Sequence, residues 1–147
     1  MNDSLRDFLI EQDYTRVKLK QTKTNHLELK ARINDVLGRF ILDTGASNSC
    51  LGFESIEQFK LNAEDSKIKA AGAGATDMFT RIAKKNHIKI AKWKYKRLDL
   101  VLFDLSHVNS ALTYHNAKPV DGIIGGDILK KAHAIIDYNK KYLYLKL

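Results

Sequence analysis

Phe40-Ile41-Leu42-Asp43-Thr44-Gly45-Ala46-Ser47 is the stretch whose reading decides the fold. Three consecutive apolar residues without alternation describe a strand covered on both faces. The acid, the small hydroxyl residue and the glycine then end that strand in a turn. An Asp-Thr-Gly triplet alone is an ordinary turn, because Asp and Gly favour turns for local reasons. About eighty residues further on, Val120-Asp121-Gly122-Ile123-Ile124-Gly125-Gly126-Asp127-Ile128-Leu129 repeats the theme. A second apolar strand runs into glycines, and Asp127 is placed as the N-cap of a helix of one or two turns.

Outward from these two segments the chain reads mostly as strand. Val17 and Leu19 alternate with Arg16, Lys18 and Lys20, and Leu27, Leu29, Ala31 and Ile33 alternate with Glu28, Lys30 and Arg32. This period of two marks half-buried strands. Further strands are expected at residues 36–42, 67–71, 78–83, 87–91, 93–103, 122–124, 134–137 and 141–147. Helix signals are few: a turn at residues 4–11 with Leu5, Phe8 and Leu9 on one face, and a short helix after Gly52 carrying Phe53, Ile56, Phe59 and Lys60. With one proline and eight glycines, punctuation is sparse, and five glycines fall at Gly45, at Gly72 and Gly74, and at Gly125 and Gly126. The reading is a mainly β domain, a closed barrel or sandwich, over residues 15–147. Residues 1–14 form an N-terminal extension with a short helix.

Composition narrows the classes. The chain has 147 residues, 25 Lys plus Arg and 17 Asp plus Glu, a net charge of 25 − 17 = +8, and 44% hydrophobic residues. That is too apolar for a disordered chain, and its apolar runs are too short to span a bilayer, so no membrane segment is expected. Cys50 is the one cysteine, which excludes an intrachain disulfide framework. It reads as a buried packing residue, since no paired His motif accompanies it. The first residues contain two acids and no apolar core of a signal peptide, so the cytoplasm is favoured. His26, His87, His107, His115 and His133 lack metal-ligand spacing, and no metal or other cofactor is expected.

Between Arg81 and Arg97 lie eight Lys or Arg residues and no acid, interleaved with Ile88, Ile90, Trp93 and Tyr95. One reading is nucleic-acid binding through phosphate contacts and aromatic stacking. The alternation instead favours the solvated face of a strand pair, so no nucleic-acid partner is expected.

With both glycine segments and the Gly72/Gly74 loop in this order, the chain resembles the retropepsin-like aspartic proteases over roughly residues 15–147. The resemblance implies an acid-protease barrel with one or two short helices. It implies Asp43 as the catalytic residue, with Thr44, Gly45 and Ala46 supporting its loop. Ile123, Ile124 and Gly125 would be the ψ-loop beside it, and Ala71, Gly72, Ala73 and Gly74 the flap that closes over substrate. Ser47 and Asn48 lie where retroviral enzymes carry acidic residues that contact substrate backbone. Metal-free peptide hydrolysis needs one carboxylate to take a proton from water and one carboxylic acid to polarise the carbonyl. One Asp-Thr-Gly therefore implies a homodimer with Asp43 from each subunit, acting on a peptide or protein substrate. Ala46 replaces a hydroxyl residue common in pepsin-like enzymes, which implies activity at mildly acidic to near-neutral pH. The terminal strand at 141–147 alternates well enough to interleave with a partner's, as in many retroviral proteases. A latent or inactive peptide-binding dimer of the same fold is the alternative.

Overall fold

The computed structural model describes residues 4–66, 70–72 and 75–147, with the backbone alone for 70–72 and 75–78. In chain order the described elements are α1 (Leu5–Glu11), β1 (Tyr14–Lys18), β2 (Lys20–Gln21), β3 (Leu27–Ile33), β4 (Val36–Leu42), β5 (Cys50–Gly52), β6 (Ala63–Asp65), β7 (Ala70–Gly72), β8 (Ala75–Met78), β9 (Arg81–Ile90), β10 (Trp93–Phe103), α2 (Ser106–Tyr114), β11 (Gly122–Ile124), α3 (Gly126–Lys131), β12 (Ile135–Asp137) and β13 (Tyr142–Lys146).

The main sheet runs β2-β3-β4-β11-β5-β10-β9-β6, and a further pairing of β3 with β9 closes six of these strands into a barrel. Closure removes the free edges of those strands. Inward-facing Leu29, Ile33, Phe40, Leu51, Ile88, Ile90, Leu98, Leu100, Leu102 and Ile124 fill the interior. The two-residue turn between β3 and β4 holds Asn34 and Asp35 at φ 50° and 69°, a left-handed conformation that Asn and Asp tolerate better than most residues. The Asn34 side chain then ties the turn to the Phe59 carbonyl and to Asn86.

The apolar run before Asp43 is covered on both sides, as its lack of alternation requires. Phe40 points into the barrel, 1% exposed, while Ile41 points outward, 4% exposed, against Leu112 and Val108 of α2. That covering helix is not anticipated from the sequence. Ser106-His107-Val108-Asn109-Ser110-Ala111-Leu112-Thr113-Tyr114 consists largely of middling helix formers. It is held instead by burial of Leu112 and by the Asp104 carboxylate, which accepts from the Ser106 N–H at 2.8 Å.

Three further expectations are adjusted. The segment after Gly52 is a single 3-10 turn, Phe53–Ser55, followed by turns that bury Phe59 completely. In α1, capped by Ser4, Leu9 is buried while Leu5 and Phe8 stay exposed. Strand β13 is the middle strand of a separate sheet, β1-β13-β12, with both of its edges paired inside the chain. Its backbone hydrogen bonds are therefore committed, and it has no edge to offer a partner's strand. No helix among the described residues is long and apolar enough to cross a membrane.

Candidate active site

Strand β11 lies between β4 and β5, the two strands that flank the Asp-Thr-Gly loop. It runs parallel to β4, with Ile123 opposite Ile41 and Ile124 opposite Leu42, and antiparallel to β5, with Ile123 opposite Cys50. The loop is thus pinned at both ends to one strand. Gly122 makes this possible, since a Cβ there would stand 2.1 Å from the Cys50 carbonyl oxygen. Gly125 has the same role further along, with Ala46 O only 2.6 Å from where its Cβ would be.

Asp43 follows β4 directly, and its N–H donates to the Ile124 carbonyl at 3.0 Å. Its Oδ1 accepts from the Gly45 N–H at 2.9 Å, and its carbonyl accepts from the Ala46 N–H at 3.2 Å. The Ala46 carbonyl accepts in turn from the Gly126 N–H at 2.7 Å. Backbone and carboxylate are both held, yet Asp43, Thr44 and Gly45 are exposed. A carboxylate so fixed at the surface is presented rather than buried. Ser47 and Asn48 are exposed on the same loop.

Beneath the loop is a polar cluster that the sequence reading does not assemble. Ser49 is fully buried; its hydroxyl donates to Asp127 Oδ1 at 2.6 Å and accepts from the Gly125 N–H at 2.8 Å. The Ser49 N–H reaches both oxygens of Asp127 at 3.0 Å. Asp127 is expected to be an N-cap, but Gly125 occupies that position, and Asp127 sits in the first turn of α3, bonded to Ser49 behind the Asp-Thr-Gly loop. Its carboxylate is engaged by Ser49 and by the Ile128 N–H at 2.9 Å, so it is no partner for Asp43. No local signal marks the pair, because Ser49 and Asp127 lie 78 positions apart.

Cys50 is buried on the outer face of β5 with Val101, Phe103 and Leu105. Burial pushes its thiol up to about 12, helped by the nearby charges of Asp127 and Asp43 and opposed by a hydrogen bond with the backbone of Ile123. This is the inert packing thiol that the sequence suggests.

Strands β7 and β8 form a separate two-stranded hairpin, with Gly72 opposite Ala75 and Ala70 opposite Met78. Ala71 and Gly72 fall on β7, whereas Ala73 and Gly74, like residues 67–69, lie outside the described residues. At the base of the hairpin the exposed Phe79 ring rests 6.1 Å from that of Phe53, just after β5. This contact joins the hairpin to the strand that leaves the Asp-Thr-Gly loop.

The barrel, the doubly pinned loop and the hairpin define a protein class. Residues 29–128 match the aspartyl protease family, and the chain belongs to that family. No curated protein matches the chain. Among solved structures it is similar to a retropepsin-like aspartic protease from Rickettsia conorii, with a TM-score of 0.55, 17% identity, and coverage of 90% of this chain and 91% of that one. It is also similar to the EIAV protease complexed with the inhibitor HBY-793, with a TM-score of 0.54, 22% identity and coverage of 75% and 90%. A third is the retroviral protease-like domain of Ddi1 from Leishmania major, with a TM-score of 0.54, 20% identity and coverage of 86% and 90%. The fold is therefore retropepsin-like.

Proposed function

We propose that the protein is an aspartic endopeptidase that works as a homodimer, with one Asp43 from each subunit. The observation that carries this reading is Asp43 itself: an exposed carboxylate whose backbone is fixed by Ile124 and whose Oδ1 is fixed by Gly45. A single chain contributes one such group, because Asp127 is engaged beneath the loop. Two Asp43 side chains meeting on a two-fold axis share one proton, since like charges at hydrogen-bond distance do not both ionise.

In the reaction the ionised Asp43 takes a proton from water as its oxygen attacks the scissile carbonyl carbon. The protonated Asp43 donates its proton to the carbonyl oxygen, giving a neutral gem-diol. Collapse breaks the C–N bond as a proton passes to the leaving nitrogen, and the two carboxyls again share one proton. Thr44 braces the two loops against each other, and Ser47 and Asn48 contact the substrate backbone. The β7–β8 hairpin, with Ala71 and Gly72 on β7, covers an extended peptide and excludes water from the site.

The test is digestion of a diverse peptide mixture from acid to neutral pH, read by mass spectrometry, with wild type beside Asp43→Asn. That exchange is nearly isosteric and removes charge. Cleavage present in wild type and lost in the variant is the expected result. Two folded dimers that cut nothing at any pH would sink the enzyme reading and leave a peptide-binding module.

A further inference from the structure

The sequence suggests that the basic residues of 81–97 form the solvated face of a strand pair, and β9 and β10 do form such a pair. A third strand changes its meaning. Lys89 lies directly opposite Lys94 of β10, and on its other side directly opposite Arg32 of β3. All three are exposed, and directly opposed residues point to the same face of a sheet. Lys94, Lys89 and Arg32 therefore make one row of cations across three strands. Beside them the ladder bulges: Tyr95 pairs with Ile88 and Leu98 with Asn86, so Lys96 and Arg97 together oppose His87.

Like charges directly opposite each other weaken strand pairing, and this row has two such pairs in succession. The ion pairs found among the described residues, Arg39 with Glu28 and Lys84 with Glu64, do not involve the row. Arg32, His87, Lys89, Lys94 and Lys96 instead surround a shallow pocket of about 310 Å3 whose one acid is Asp35. Arg32 Nη1 donates to the Asp35 backbone carbonyl at 3.2 Å.

We infer that this pocket binds clustered phosphate groups. Four permanent cations and one carboxylate leave 4 − 1 = +3 around a small volume. Linked phosphates carry about one negative charge each, with nearly a second on a terminal group, so two or three of them match that charge. Arginine offers a planar fork of donors to phosphate and lysine a point charge.

Bases are not read here. Trp93 is 6% exposed and stacked on Tyr95 at 6.2 Å, and Lys131 lies 4.9 Å from the centre of the Tyr95 ring. Neither Trp93 nor Tyr95 thus offers an open face for stacking. Free oligophosphate and the backbone of a nucleic acid share the chemistry that remains. Arg32 faces Leu37 on β4 while Leu42 adjoins Asp43, a separation of about 17 Å along the strand. The site is thus distinct from the Asp43 loop and does not rest on the protease reading.

The experiment titrates the full chain with tripolyphosphate and, separately, with a single-stranded oligonucleotide, following backbone amides by NMR at fixed ionic strength. Expected are shifts confined to Arg32, residues 87–89 and residues 94–96, and at least tenfold weaker binding in the Arg32→Gln, Lys89→Gln, Lys94→Gln triple variant. A control triple, Lys23→Gln, Lys60→Gln, Lys140→Gln, removes the same charge and should bind within about twofold of wild type. The first triple relieves repulsion, so its melting temperature without ligand should be no lower than that of wild type. Tighter binding of the oligonucleotide at the same amides assigns a nucleic-acid source; tighter tripolyphosphate binding assigns a free one. Equal loss in both triples, binding no tighter than to sulfate, or preference for polyglutamate would overturn the inference.

Discussion

Ser49 is bound to Asp127 through both its hydroxyl, at 2.6 Å, and its N–H, at 3.0 Å to each carboxylate oxygen. The two residues are 78 positions apart, and their contact fastens the segment behind Asp43 to the start of α3. With the Gly125 N–H donating to the same hydroxyl, one buried side chain joins both glycine motifs. Ser49→Ala leaves the Gly125 N–H without its acceptor and removes one donor from Asp127. An unmatched buried polar group costs about 1–3 kcal/mol, and urea denaturation should show that loss with an unchanged m-value. A midpoint equal to that of wild type would mean the cluster is dispensable.

Gly122 sits where three strands meet, and the space for its side chain is already filled by backbone. A Cβ at 2.1 Å from the Cys50 carbonyl oxygen and 2.8 Å from Leu51 Cδ2 cannot be relieved by rotating one side chain. Gly122→Ala should therefore cost about 3 kcal/mol or more, at the upper end for overpacking. Thermal unfolding by circular dichroism checks this. At Gly126 the nearest atom to an added Cβ is 3.4 Å away, so Gly126→Ala in parallel should be far milder.

The β architecture is legible because period-two alternation survives in β3, β9 and β10, and because Phe40-Ile41-Leu42 breaks it where both faces are covered. The helix that supplies the second cover is not legible, since α2 owes its existence to Ile41 and Val120 beneath Leu112 rather than to its own propensities. The Asp43 loop and β11 are legible as motifs because glycine marks each place where backbone meets backbone. Ser49 with Asp127, Phe53 with Phe79, and Arg32 beside Lys89 are not, because each depends on a long-range register that local patterns do not encode. The resemblance to interleaving retroviral termini fails at β13 for a related reason: β1 occupies one edge and β12 the other.

Cys50 should be silent toward thiol reagents in the native protein. With burial raising its thiol from 9.0 to about 12, only about one molecule in ten thousand carries a thiolate at pH 8. Reaction with Ellman's reagent should appear only on adding denaturant. The raised value also sets a direction for stability. The folded state favours the protonated thiol, so this contribution is complete below pH 9 and declines as pH rises toward 12. Rapid labelling of folded protein at pH 8 would show that the outer face of β5 is open.

Ala46 offers a direct handle on the pH profile of the proposed enzyme. Its carbonyl accepts from the Gly126 N–H and its own N–H donates to the Asp43 carbonyl, so residue 46 is held next to the Asp43 turn. A hydroxyl that reaches the proposed Asp43 dyad donates to its ionised form, which favours charge. Ala46→Ser should shift the acid limb of kcat/KM to lower pH while leaving the plateau within a few-fold of wild type. Profiles from pH 3 to 8 on a single cleaved peptide, with urea midpoints confirming unchanged stability, measure the shift. An unmoved acid limb in a folded, active variant would mean that residue 46 does not reach the ionising group, and that the pH dependence is set elsewhere in the dimer.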